Sequence, residues 1–401
     1  MTESTVVRRY AWADIAKGAC IVLVVLWHVL AKHYLQLKGT TGTPIPGIWG
    51  SLGESLLPLR MPVFFTVSGM FAVTAMSWPW RRLARTKLAR FGYLYLLWVL
   101  IDTVVLSLTP EFPTERAENL PDLLAELTIS PTNLWYLQAL ALYFALARTA
   151  RWSRLPVPVL LAVAAGVSVV ASAGLFPNAD RLLAGNRVDV LQNLVFFLGG
   201  LHLRPALERF AERAGSNRLL VLGSGFGLVM LVVTAGDALS WVGVWPVCAL
   251  LAVGFAVTAA ALLAGTRLGA PIARLGRQTL PVYVLHMPVL AVLDLLLARP
   301  VASVSGRPGV LLAVVEPMLF TALVMASCLV LYRGLLAFGA GWLFERPTRG
   351  LPARERPTSE ALTHELPVRE APTREWPAHG LPVGTRPANR VTGPVLDLAH
   401  G

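Results

Sequence analysis

Cysteine is nearly missing from this chain of 401 residues: the three that occur, Cys20, Cys248 and Cys328, each lie inside an apolar run. That placement supplies neither a disulfide framework nor a metal-ligand spacing, and the three read as small hydrophobes. Charge is scarce too. Asp, Glu, Lys and Arg make up 14% of the residues against 55% hydrophobic, and a mean hydropathy of +0.60 excludes an ordinary soluble globule. The apolar–polar alternation of a membrane barrel is absent. A bundle of apolar helices remains, in which each helix satisfies its own backbone groups within lipid. No small-x-small cleavage site follows the first apolar run, so that run is expected to persist as a span. The net charge of +12 comes chiefly from arginines that recur between apolar runs. They form no single patch interleaved with aromatics, so the pattern speaks for membrane topology and against nucleic acid as a partner.

Windows of about twenty apolar residues predict spans near Asp14–Leu30, Pro58–Met76, Leu88–Leu108, Asn133–Ala150, Val157–Leu175, Val188–Leu203, Leu219–Thr234, Trp241–Leu263, Thr279–Leu297 and Val310–Phe338. The expectation is therefore an all-α integral membrane protein, a bundle of about ten transmembrane helices. Ile48 to Leu57 reads as a short interfacial or re-entrant helix before Pro58. Arginines and lysines cluster in every other loop, at 81–90, 148–154, 204–218 and 267–277, while the loop from Pro110 to Thr132 is acidic. The positive-inside rule then puts both termini in the cytoplasm. Residues 1–11 form a cytoplasmic N-terminal segment and 12–340 the membrane domain. From 341 to 401 the character changes: proline returns at 347, 352, 357, 367, 372, 377, 382 and 387. Proline at that frequency forbids a continuous helix, and the Arg, Glu and Thr between give little to bury, so a disordered, Pro- and Arg-rich cytoplasmic tail is expected.

The stretch from Asp14 to His28 fixes charge inside a span. Lys17 and His28 are eleven residues apart, about three helical turns and roughly 16 Å along the axis, so both fall on one stripe. Asp14 lies on the same stripe one turn earlier. Lys17 can snorkel to the interface, pair with Asp14 or hold a substrate group; His28 can donate to a backbone carbonyl or carry chemistry. Further buried polar residues are Asp102 and Asp294, expected in the outer half of the membrane. Glu316 is expected near the outer end of the last span and His286 nearer the cytoplasm.

Four motifs recur in order: Lys17-Gly-x9-His28, Arg60-Met-Pro-Val-Phe64-Phe65-Thr-Val-Ser68-Gly69, Asn133-Leu-Trp135-Tyr136-Leu, and Val282-Tyr283-Val-Leu-His286. Over about Trp12 to Phe338 this set resembles the acyltransferase-3 family of polytopic membrane acyltransferases. Trp12-Ala-Asp14-Ile-Ala-Lys17-Gly18 is most similar to its fucose O-acetylase-like members. The resemblance implies transfer of an acyl group, most readily acetyl, from cytoplasmic acyl-CoA to a hydroxyl of a cell-surface glycan or small glycosylated acceptor. Acyl-CoA is a donor substrate here, and no permanently bound cofactor is implied. His28 matches the histidine that the family needs for activity. Lys17 stands where the family usually has arginine, and offers a phosphate a point charge without a bidentate fork. Gln138 and Ala139 occupy the neighbourhood where many members carry a glutamate.

The chemistry fits the residues. Ester formation needs a group to take the acceptor's proton, and a neutral imidazole titrates in the right range, so His28 is the candidate base or acyl carrier. Lys17, beside Asp14 and helped by Arg85 and Arg90, would hold the CoA phosphates at the cytoplasmic end. Ser68 and Gly69 would either pack helices or line the acyl channel. Arg60 would anchor to headgroups or bind acceptor, and Trp135 and Tyr136 read as an interfacial aromatic belt. Tyr283 and His286, one turn apart, would orient CoA or hydrogen-bond each other. The rival reading is a transporter or flippase in which buried His and Asp form a proton relay.

Overall fold

A computed structural model describes residues 3–37, 44–175 except the loop positions 115, 129, 131, 152 and 154, and 186–347. The expected Pro- and Arg-rich tail lies outside the described residues, apart from its first few. Among the described residues every regular element is helical.

Helix α1 runs unbroken from Glu3 to Lys32. Its continuity through Gly18 is what makes the stripe argument for Lys17 and His28 hold. A short helix α2 (Ile45–Ser55) follows, separated by Leu56 alone from α3 (Leu57–Met76), so a short helix does precede the second span. Then come α4 (Trp80–Leu83) and a π-helical turn at Ala84–Leu88, leading into α5 (Ala89–Ser107). The acidic loop carries α6 (Leu120–Thr128). Three helices of 16 residues each follow: α7 (Trp135–Ala150), α8 (Val157–Ser172) and α9 (Arg187–His202). The second half holds α10 (Arg204–Glu212), α11 (Ser216–Ala235), α12 (Val244–Leu263), α13 (Gly269–Arg277), α14 (Thr279–Ala302) and α15 (Gly306–Ala337).

Each of the ten sequence windows coincides with a helix, but seven segments among the described residues are long and apolar enough to cross a membrane. The three 16-residue helices fall short because a helix rises about 1.5 Å per residue; each reaches roughly 24 Å against a hydrocarbon core of about 30 Å.

Helix α1 is the hub. It packs against α3, α12, α13, α14 and α15, while α3 packs most extensively on α9. Two crossings depend on glycine. A Cβ on Gly69 would lie 2.0 Å from the Phe197 carbonyl oxygen, and one on Gly200 would lie 1.9 Å from that of Thr66. Neither helix can carry a side chain at that point. Likewise a Cβ on Gly18 would meet the Ile272 carbonyl at 2.1 Å, and one on Gly276 the Asp14 carbonyl at 1.8 Å. So α13, although short and rich in arginine on one face, is set into the bundle against the start of α1.

Candidate active site

Two histidines face each other across the α1–α14 contact. The His28 and His286 rings are 4.9 Å apart and nearly perpendicular. Their shared level departs from the expectation that His286 lies nearer the cytoplasmic end. Ahead of α14 stands α13, which is seated with Ile272 and Gly276 beside Gly18 and Asp14 of α1. Each imidazole has one nitrogen committed to its own helix. His28 Nδ1 donates to the Val24 carbonyl at 2.9 Å, and His286 Nδ1 donates to the Tyr283 carbonyl at 2.6 Å. Because a carbonyl only accepts, these bonds select the Nδ1–H tautomer and leave the Nε2 lone pairs free to take a proton. His286 is fully buried and its Nε2 has no hydrogen-bond partner.

Three more of the predicted residues join this pair. Tyr283, one turn before His286, lies with its ring 5.8 Å from the imidazole. Its hydroxyl donates to the Asn133 carbonyl at 3.0 Å and accepts from the Tyr136 backbone N–H at 3.2 Å. Tyr283 thus braces the start of α7; it bonds His286 through its carbonyl and not its hydroxyl. The Tyr136 hydroxyl meets Ser68 Oγ at 2.7 Å, and its ring lies among Phe64, Phe65 and Tyr283. Trp135 packs 5.6 Å from Phe65. Both Trp135 and Tyr136 are buried, which overturns the interfacial-belt reading. The loop before α7 covers them: Asn133 Nδ2 donates to Thr114 Oγ1, and Gln138 Nε2 to the Thr128 carbonyl. Of the two readings for Ser68 and Gly69, helix packing is seen at Gly69, which meets the backbone of α9, while Ser68 turns to Tyr136.

Lys17 and Asp14 sit elsewhere, about three and four turns down α1. Lys17 Nζ is 2.9 Å from Asp14 Oδ1 and lies over the Phe71 ring at 5.3 Å, while Arg277 approaches Asp14 Oδ2 at 3.8 Å. Of the open readings for Lys17, pairing with Asp14 is the one realised here. Arg85 is exposed on the π-helical turn and its carbonyl accepts from Arg346. Arg90 is half-buried, with Nε lacking a partner. Arg60 is buried, its guanidinium 4.8 Å over the Trp27 ring, so it anchors to no headgroup. Asp189 of α9 lies near enough to attract it.

One polar centre escaped sequence reasoning. His33, one residue past the end of α1, is fully buried between two carboxylates, with Nδ1 2.6 Å from Asp294 Oδ1 and Nε2 3.0 Å from Glu316 Oε1. Its ring stacks on Phe320 at 3.9 Å. Asp294 and Glu316 were legible as isolated buried acids. Their partner was not, because Ala-Lys-His at the end of an apolar run reads as a solvated flank.

A family model described as an acyltransferase domain matches residues 10–333. The chain is similar to the inner membrane protein YcfT of Escherichia coli, 30% identical over 179 residues, which is 38% of this chain and 48% of that protein. The matched region therefore spans about half the length of this curated relative. No solved structure matches.

Proposed function

Because the chain belongs to the acyltransferase-3 family of membrane-bound acyltransferases, we propose that it esterifies a hydroxyl of a sugar-containing acceptor with an acyl group, most readily acetyl, taken from acyl-CoA. The observation that carries this reading is the meeting of His28, His286, Tyr283, Tyr136 and Ser68 from α1, α14, α7 and α3 in one connected cluster.

In the proposed reaction the acceptor O–H gives its proton to His28 Nε2 as its oxygen attacks the thioester carbonyl. The C–S bond breaks, and the imidazolium returns the proton to the departing CoA sulfur, so ester and thiol form with no net proton change. The Val24 carbonyl, accepting from Nδ1, holds the ring in the tautomer this needs and stabilises the charge it briefly acquires. His286 is the second imidazole against the first, placed to orient it. Lys17 and Arg277, which flank Asp14 from two sides, leave a net positive charge for the CoA phosphates at the arginine-rich end of the bundle, which the positive-inside rule makes cytoplasmic. His28 then lies toward the opposite face, where an envelope glycan is presented.

Membranes carrying the protein should transfer label from acetyl-CoA to envelope glycan. His28→Ala should lower transfer by about 10² to 10⁴-fold while the protein remains inserted and abundant. Lys17→Ala should raise the KM for acetyl-CoA and Lys17→Arg should not. Normal transfer by the His28 variant would remove the histidine from the chemistry.

A further inference from the structure

A guanidinium with unused donors stands over the part of α1 that carries His28. Arg60, in the first turn of α3, is 4% exposed, and its Cζ lies 4.8 Å over the ring of Trp27, the residue directly before His28. Among the described residues it donates no hydrogen bond and pairs with no carboxylate. Its nitrogens are not sealed off, as Nε of Arg90 and Nε of Arg148 are, and the same contrast separates the open His28 Nε2 from the sealed His286 Nε2. Open donors and an open acceptor therefore both border reachable space, and Arg60 and His28 lie near enough to act on one another electrostatically. The register of α3 fixes the placement. Arg60, Phe64 and Ser68 recur every four residues, so they share one stripe, and Phe64 and Ser68 both touch Tyr136. Arg60 thus continues the face that α3 turns to the cluster, one turn beyond Phe64.

Burying a charge whose N–H donors go unmatched is costly unless something compensates. Compensation here is split. Asp189, in the first turn of α9, supplies counter-charge from a distance, while its own Oδ1 accepts from Gln192 Nε2 at 2.7 Å. The Trp27 face supplies a cation–π contact. Neither takes up the donors, so the resting charge is balanced and the fork is kept for an oxygen that becomes negative only during reaction. We propose that Arg60 is a catalytic residue of the acyl transfer, its N–H groups donating to the thioester carbonyl oxygen beside His28. The inference rests on the acyl-transfer reading above and adds to it the group that takes the developing charge. As the acceptor oxygen bonds to the carbonyl carbon and its proton passes to His28 Nε2, the π pair of the carbonyl moves onto the oxygen held by Arg60. That pair re-forms the carbonyl when the C–S bond breaks, and the proton leaves His28 for the sulfur; Arg60 neither gains nor loses one. Donors aimed at an oxygen whose charge grows bind the transition state more tightly than the bound thioester, which is the condition for accelerating the step.

Membranes carrying the full chain, with acetyl-CoA as donor and envelope glycan as acceptor, give the test. Arg60→Met should lower kcat about 10² to 10³-fold and move the KM for acetyl-CoA less than about threefold. Arg60→Lys, which keeps a charge without the fork, should fall between that variant and the native protein. Because Arg60→Met leaves Asp189 without its counter-charge, Arg60→Met/Asp189→Asn is made alongside; it should melt nearer the native protein than the single variant does and transfer as slowly. A second donor, acetyldithio-CoA, carries sulfur in place of the carbonyl oxygen and accepts hydrogen bonds poorly. By kcat/KM the native protein should prefer acetyl-CoA to this analogue at least about tenfold more strongly than Arg60→Met does. An Arg60 that only braces the fold or binds the acceptor would slow both donors alike. Equal slowing of the two donors, or a double variant with native kcat, would overturn the proposal. Failure of the acyl-transfer reading looks different and takes this proposal with it: no label would pass from acetyl-CoA even with the native protein, and His28→Ala would change no rate of CoA release.

Discussion

Ser68 and Tyr136 show how direction matters in a single contact. Ser68 Oγ donates to the Phe64 carbonyl at 2.8 Å, so at the 2.7 Å contact the Tyr136 hydroxyl is the donor and Ser68 the acceptor. The two truncations are then unequal. Tyr136→Phe removes a donor and leaves Ser68 bonded to its own helix, at a cost of about 0.5–1.5 kcal/mol. Ser68→Ala strands a buried phenol without an acceptor, which costs about 1–3 kcal/mol. Thermal unfolding in detergent should rank the variants in that order. The double variant should recover part of the Ser68→Ala loss, because it leaves no hydroxyl unsatisfied. The sequence showed these two residues as members of two motifs. It did not show that they touch, since a pattern along one chain carries no distance between helices.

At the scale of helices, the His33 centre holds α1 to α14 and α15 at once. A histidine between the buried Glu316 and the half-buried Asp294 is the counter-charge that lets the two acids lie close together. Removing it leaves Asp294 and Glu316 without compensation, and breaking a buried pair in this way costs about 3–5 kcal/mol. His33→Ala should therefore melt far below the native protein, and the double variant His33→Ala/Glu316→Gln should melt above the single one. The glycine crossing of α3 and α9 makes a second prediction. Gly69→Ala and Gly200→Ala force a methyl against a carbonyl oxygen and should lower stability by about 1–3 kcal/mol. Gly92→Ala and Gly166→Ala meet nothing within 4 Å in their helices and should be neutral or stabilise by up to about 1 kcal/mol. A melting series of the four separates close packing from helix propensity. The small pair Ser68-Gly69 was legible in the sequence. Its partner Gly200 was not, because one glycine in an apolar run looks like any other.

Across the whole molecule, hydropathy located all ten helical windows, since burial in lipid leaves a run that needs no context to recognise. It drew α7 and α8 a few residues too long, while the window for α9, Val188–Leu203, already had that helix's own length. It also read Trp135 and Tyr136 as interfacial, whereas both are buried and the preceding loop bonds back to this end of α7 through Thr114 to Asn133 and Thr128 to Gln138. Reading the family resemblance brought out ten candidate site residues, and the geometry joins half of them: His28, Ser68, Tyr283, His286 and, beside them, Trp135. Lys17 and Asp14 lie three turns away, Arg60 beside Trp27, and Arg85 and Arg90 on the π-helical turn and the helix it leads into.

That cluster draws one helix from beyond the turn at Gly236–Gly243 and three from before it. Severing the polypeptide there leaves His28, Ser68 and Tyr136 in one piece and Tyr283, His286, Asp294 and Glu316 in the other. Neither half owns a working centre, yet the glycine knuckles of α1 and α13 and the buried acids give the halves a means of finding each other. Co-expressed fragments should regain acylation in the same bilayer, and either one alone should be inert.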